Sequence, residues 1–161
     1  MTAAYIAGFI DGEGSIGLTS HGRLRRDGRA RGLTFRPVVT VYNKHRGVLE
    51  SMRGYAKVGR LHVRVRNRQE WSDAHIWKVD GGRDVEQLLR LIAPHLVVKR
   101  EQATLLLRFI ERRREQHTRP YTETDYELVL ALRKVNGRHP GHGSPMRDLP
   151  GIQTHKVLGV D

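Results

Sequence analysis

The stretch Ile6-Ala7-Gly8-Phe9-Ile10-Asp11-Gly12-Glu13-Gly14 decides how the rest of this chain is read. Its first half is a short apolar helix that runs directly into two acids set among glycines. Ala7 and Gly8 leave one helix face almost bare of side chain, so a second backbone can approach closely there. Glycines just past a helix end suit left-handed or tight turns, and such a turn is expected around Gly12 and Gly14. Asp11 and Glu13 emerge at the negative end of the helix, where a carboxylate is disfavoured unless a cation offsets it. A divalent metal is the simplest compensation.

Outward from this stretch the chain alternates. Residues 15–19 form a strand with Ile16 and Leu18 on one face. From His21 to Gly32 glycines punctuate a basic loop carrying Arg23, Arg25, Arg26, Arg29 and Arg31, placed to track phosphates. A second strand over 33–43 sets Phe35, Pro37, Val39 and Val41 against Thr34, Arg36, Val38 and Thr40. A helix over 44–55 follows. In the third strand Leu61, Val63 and Val65 oppose Arg60, His62, Arg64 and Arg66. Its hairpin partner over 71–79 sets Ala74 and Ile76 against Asp73 and His75. Val85, Leu88, Leu89 and Ile92 recur at helical spacing before Pro94, and a long amphipathic helix spans 98–114. Thr124 and Glu127 form a capping-box pattern that opens a last helix to Asn136. The expected domain is residues 1–136, followed by an irregular Gly/Pro/His-rich tail over 137–161. No internal repeat is present, so each chain holds one acidic motif.

Composition narrows the partner. The 161 residues suit one domain, and 29 Lys plus Arg against 17 Asp plus Glu give a formal net charge of +12. That excess points to a polyanion, nucleic acid before an anionic membrane surface. Arg outnumbers Lys 23 to 6 within those 29. Its planar fork grips phosphate and guanine edges bidentately, which favours nucleic acid. The absence of cysteine excludes disulfides, zinc ribbons and thiol nucleophiles. No apolar run reaches the ~20 residues of a membrane span, and no basic region precedes the apolar N-terminal stretch. The chain reads as an intracellular protein, of a bacterial or phage cytoplasm or of an organelle.

The opening stretch resembles the LAGLIDADG motif of homing endonucleases. Ala7, Gly8, Ile10, Asp11, Gly12, Glu13 and Gly14 match the motif or its common substitutions, and Ile6 and Phe9 keep its apolar character. The helix and strand order, α-β-β-α-β-β-α, is the one the resemblance predicts. It implies an α+β fold with a four-stranded antiparallel sheet, helices on one face and DNA on the other. It also implies a homodimer that cuts both strands of a long, near-palindromic target in intron homing, using Mg²⁺ or Mn²⁺. Within that resemblance Glu13 is the metal-binding acid, the Gly12 carbonyl its companion ligand, and Lys99 and Asn43 the groups that organise water and charge. Ala7, Gly8 and Asp11 fall in the expected dimer interface. Candidate DNA contacts are Ser15, Thr19, Arg25, Arg26, Thr34, Arg36, Thr40, His62, Arg64, Arg66, Asp73 and His75. A non-cleaving relative, an intron RNA maturase or a DNA-binding regulator, is the alternative. Loss of the second acid would favour it, and Glu13 is present.

Overall fold

The structure, a computed structural model, describes residues 1–24, 30–64, 74–116 and 119–137. In chain order these form α1 (Ala3–Glu13), β1 (Gly14–Leu24), β2 (Ala30–Asn43), α2 (Arg46–Ala56), β3 (Arg60–Arg64) and β4 (Ala74–Asp80). Then come α3 (Gly82–Ile92), a 3₁₀ turn (Ala93–His95), α4 (Arg100–Gln116) and α5 (Glu123–Val135). The fold is α+β: one antiparallel sheet of order β1-β2-β4-β3. The expected element order holds, with the two later helices the sequence also indicated, α4 and α5, after it.

Alternation along the strands splits the sheet into two faces. Ile16, Val39, Val41, Trp77 and Val79 are buried under the helices, against Ile6, Ile10, Leu49, Met52, Leu88, Leu89 and Phe109. Trp77 donates its indole N–H to the Val58 carbonyl at 3.0 Å. Gly59 is held there at φ 81°, and a Cβ would lie 2.7 Å from the Lys78 carbonyl oxygen and from the Trp77 ring nitrogen. Only glycine makes this entry into β3.

The hairpin of β1 and β2 is longer than the alternation suggested. Pairing continues through His21↔Thr34 and Gly22↔Leu33 to Leu24↔Ala30, with a register shift at Arg23/Leu24. Ladder bonds are made by backbone, so glycine-broken side-chain patterns do not stop them. The ladder thus takes in much of the expected loop, and residues 25–29, with Arg25, Arg26 and Arg29, lie outside the described residues. So do Val65, Arg66, Trp71 and Asp73, and all of the tail beyond Gly137.

The capping box also sits elsewhere. Thr122, not Thr124, is the N-cap of α5: its hydroxyl accepts from the Asp125 N–H, and the Asp125 carboxylate accepts from the Thr122 N–H. Tertiary charge selects this register. Asp125 is fully buried and takes Arg112 at 3.2 Å and Arg113 at 3.4 Å. Arg113 lies over the Tyr121 ring, and the Tyr121 hydroxyl accepts from the Phe35 N–H at 3.0 Å. The α4–α5 corner is thereby tied to β2.

Burial works against the Asp125 charge, but the Thr122 N–H and hydroxyl and the Arg112 guanidinium outweigh it and hold the carboxyl below the usual range. A lowered folded pKa adds stability above the unfolded value, about 4, and that stability is lost as pH falls through the folded value. Asp125→Ala is expected to cost about 3 kcal/mol near neutral pH, as for a broken buried pair. Its penalty should shrink in acid, as read by denaturant melts at pH 7 and pH 3.

Candidate active site and nucleic-acid interface

The motif helix starts at Thr2, whose hydroxyl accepts from the Tyr5 N–H at 3.2 Å, and ends against β1 with no connecting loop. Gly14 is extended, with φ −97° and ψ 170°. Neither Gly12 nor Gly14 is among the positive-φ glycines, so the expected left-handed turn is absent. Gly14 is needed for space instead: a Cβ there would lie 2.9 Å from the Cα and the carbonyl oxygen of Ile10.

The two small residues before the acids divide. Ala7 is fully buried within its own subunit, so its place in an intersubunit face is corrected: it belongs to the chain's own core. Gly8 and Gly12 are exposed, and nothing lies within 4 Å of where their Cβ atoms would stand. With exposed Ala4 they form a bare stripe at helical spacing.

Asp11 is likewise not directed at a free surface. Its carboxylate accepts from the N–H groups of Val97 at 2.8 Å, Val98 at 3.2 Å and Lys99 at 2.9 Å. The Lys99 ammonium donates to the Asp11 carbonyl oxygen. Burial opposes ionisation here, yet the three N–H donors and the Lys99 charge hold the Asp11 carboxyl below the usual range. The cation that relieves Asp11 at the negative helix end is therefore Lys99, not a metal.

Glu13 remains exposed at the same terminus. Its carboxylate and the Gly12 carbonyl, one of the last carbonyls of the helix, are hard oxygen donors at a negative dipole end and fit a small divalent cation. Among the described residues no three His, Asp or Glu side chains gather into a metal-holding group. Two donors are few for an octahedral ion, so further oxygens from outside one chain are required. Asn43 is the last residue of β2, two past Val41, the partner of Gly14. It thus ends its strand beside the end of α1, with its side chain accepting from the His45 N–H at 2.8 Å.

The sheet's other face is open. A cavity of about 640 Å³ is lined by Ser15, Thr19, Thr40, Tyr42, His62 and Lys78 among others on the sheet, and by Val129, Leu132 and Arg133 of α5 with Asn136 just past its end. The register carries Thr34 and Arg36 to the same face, and Arg64 pairs with Ala74 at the end of the β3–β4 ladder. His75 does not belong here. It pairs with Asn43 and Val63, which puts it on the helix-side parity with Trp77 and Val79. The open-face residues of β4 are Ala74, Ile76, Lys78 and Asp80. Sequence reading missed Lys78, Asp80 and Tyr42; the Thr40↔Lys78↔Arg60 rung would have found Lys78 had the pairing been known. Asn136 was also missed. Its side-chain amide donates to the Ile16 carbonyl at 3.0 Å, bracing the edge strand β1.

No protein-family model and no curated protein matches the chain. Solved structures do. The homing endonuclease I-CvuI, in complex with the I-CreI target, is 24% identical, with 86% of this chain and 82% of that chain covered and a TM-score of 0.63. The archaeal intron-encoded homing endonuclease I-Vdi141I, complexed with DNA, is 19% identical over 88% and 86%, with a TM-score of 0.63. The LAGLIDADG homing endonuclease I-GzeII, in complex with its DNA target, is 18% identical over 84% of this chain but 43% of that chain, with a TM-score of 0.59. The chain has the LAGLIDADG homing endonuclease fold. In that fold the acid-glycine stretch is the end of α1, and the open sheet face is the one opposite the buried core, with α5 lining part of its cavity.

Removing the Asp11 clasp separates its role from that of Glu13. Asp11→Ala should cost about 1–2 kcal/mol, the range for losing a helix cap. Asp11→Asn, which keeps one acceptor, should cost less. Thermal or urea unfolding of the two variants measures the difference.

Proposed function

We propose that two copies of this chain form a site-specific DNA endonuclease that hydrolyses phosphodiester bonds with Mg²⁺ or a similar ion. The observation that carries this reading is the exposed Glu13 at the end of α1, two residues past the Asp11 that holds Lys99 and two before Ser15 of an open, polar sheet face. A net charge of +12 suits duplex DNA. The solved neighbours support the DNA-binding part of it: I-CvuI was solved on the I-CreI target, with the DNA not cleaved in 2 mM Mg, and I-Vdi141I was solved complexed with DNA.

Two copies are proposed because one chain supplies one such acid. This chain spans 43% of I-GzeII, a length that leaves room for two units of this size. The bare stripe Ala4, Gly8, Gly12 would allow two α1 helices to pack backbone to backbone. Val97 and Val98, 78% and 70% exposed, are tied to its end by Asp11 and would be covered in the same contact. Among the described residues no helix is long and apolar enough to cross a membrane.

A divalent ion, when bound, would supply charge neutralisation at the phosphate and a more acidic water. Glu13 and the Gly12 carbonyl would hold it. Lys99, anchored on the Asp11 carbonyl, would face the developing negative charge on the phosphate. Asn43, on the strand end beside α1, would orient water. The sheet face would lie in the major groove, with basic side chains binding phosphates.

The test uses a randomised duplex pool. The chain should enrich a site of near-twofold symmetry in Ca²⁺ and cut it in Mg²⁺. Glu13→Gln should keep affinity within about threefold while cleavage falls by at least ~100-fold, because affinity rests mainly on phosphate contacts. Binding without any cutting by the parent chain would instead make it a DNA-binding regulator.

The dimer has its own test. Gly8→Leu places a large side chain on the bare stripe, where nothing in its own subunit opposes it. Sedimentation should show a shift from dimer toward monomer with an unchanged melting temperature at concentrations where the parent is monomeric.

A further inference from the structure

Among the described residues the open face holds one ion pair that packing does not demand. Lys78 Nζ lies 3.3 Å from Asp80 Oδ2, with side chains 40% and 38% exposed. Both are on β4, two residues apart, and so share a face. Lys78 lines the cavity and Asp80 pairs with Val38, another lining residue. β4 is an interior strand, with β2 on one side and β3 on the other. Arg60 pairs with Lys78 across β3; the rest of the floor around the pair is neutral: Ser15 and Thr40, joined at 2.7 Å, with Val38, Tyr42 and Ile76.

An acid here is the informative member. A face meant only to attract phosphate gains nothing from a carboxylate, which repels it. A carboxylate does accept from an exposed base amine, and the amine of cytosine N4 lies in the major groove beside the O6 of its paired guanine. Those two atoms are joined by a Watson–Crick hydrogen bond of about 2.9 Å. The Lys78–Asp80 separation is nearly the same. The two ends can therefore close a four-membered array: the ammonium donates to guanine O6, and cytosine N4 donates to the carboxylate. The base pair's own bond and the ion pair form the other two sides.

We propose that Lys78 and Asp80 together read one G·C pair in each half-site. This rests on the reading of the chain as a sequence-specific DNA-binding protein. Orientation is part of the code. A C·G or A·T pair in the same place sets donor against the ammonium and acceptor against the carboxylate. A T·A pair keeps the acceptor–donor order at O4 and N6. It nevertheless replaces guanine N7, a second acceptor within reach of the ammonium, by the thymine methyl group.

The experiment is selection from a randomised duplex pool by the full chain in Ca²⁺, followed by sequencing. The parent should show one position per half-site at which G·C is preferred over each alternative by about tenfold. Lys78→Met and Asp80→Val should each flatten that position to within about twofold and leave the others unchanged. The double exchange Lys78→Asp with Asp80→Lys should reverse it to C·G. Both side chains are half-exposed, so folding is not at stake, and a matching melting temperature checks this. Enrichment of a site by all variants with the same preference at every position overturns the assignment and leaves the DNA reading intact. A uniform loss of affinity in the variants also overturns it, since that is the behaviour of a phosphate contact. A parent chain that enriches no sequence overturns the DNA reading, and this inference with it.

Discussion

Three backbone N–H groups converging on one carboxylate hold the working end of this molecule together. The C-terminus of α1 is negative and the N-terminus of α4 is positive, and Asp11 stands between them as a shared anion. Its bonds to Val97, Val98 and Lys99 satisfy donors that precede a helix and would otherwise lack partners. The same contact delivers the Lys99 side chain back onto the Asp11 carbonyl. The two acids of the motif thus have opposite fates. Asp11 is consumed by the fold, while Glu13, two residues on, is left exposed.

Much of this architecture was legible because it is periodic. Strand alternation separated Thr34, Arg36 and Thr40 from Phe35, Val39 and Val41, and the structure keeps that division. The helical spacing of Val85, Leu88, Leu89 and Ile92 likewise marks the buried side of α3. The electrostatic conflict at Asp11 was also visible, since it depends only on position along one helix. Its resolution was not, because the partners lie 86 to 88 residues away. Ala7 was misassigned because a small residue within an apolar run is compatible with either side of the helix. His75 was placed on the wrong face for a related reason. The β4 pattern of half-buried residues alternates weakly, and only the pairing with β2 and β3 settles its parity. Thr122 and Thr124 each begin a plausible box; buried Asp125 and its two arginines choose between them.

The open face is less uniformly basic than the composition suggests. Its floor is small, polar or apolar, and its charge is concentrated in few places. This suits recognition by shape and hydrogen bonding inside a groove, with sequence-independent attraction left to other parts of a strongly basic chain. The rim is also stiffened. Asn136 satisfies an edge carbonyl of β1 and packs against Gly17, 3.5 Å from where a Cβ would stand. An edge strand that would otherwise fray or recruit another chain is thereby held in its own sheet.

The direct passage from α1 into β1 has a metrical consequence. With Gly14 as the sole hinge residue and no slack on either side, Glu13 and the first open-face residue, Ser15, are gauged against each other by two covalent steps. A residue inserted between them would invert every side chain of β1, exchanging Ile16 and Leu18 with Ser15, Gly17 and Thr19. The chain therefore works as a ruler whose zero mark is the acid and whose graduations are the alternate residues of the strand. Any two proteins that share this junction share the scale, whatever side chains are written along it.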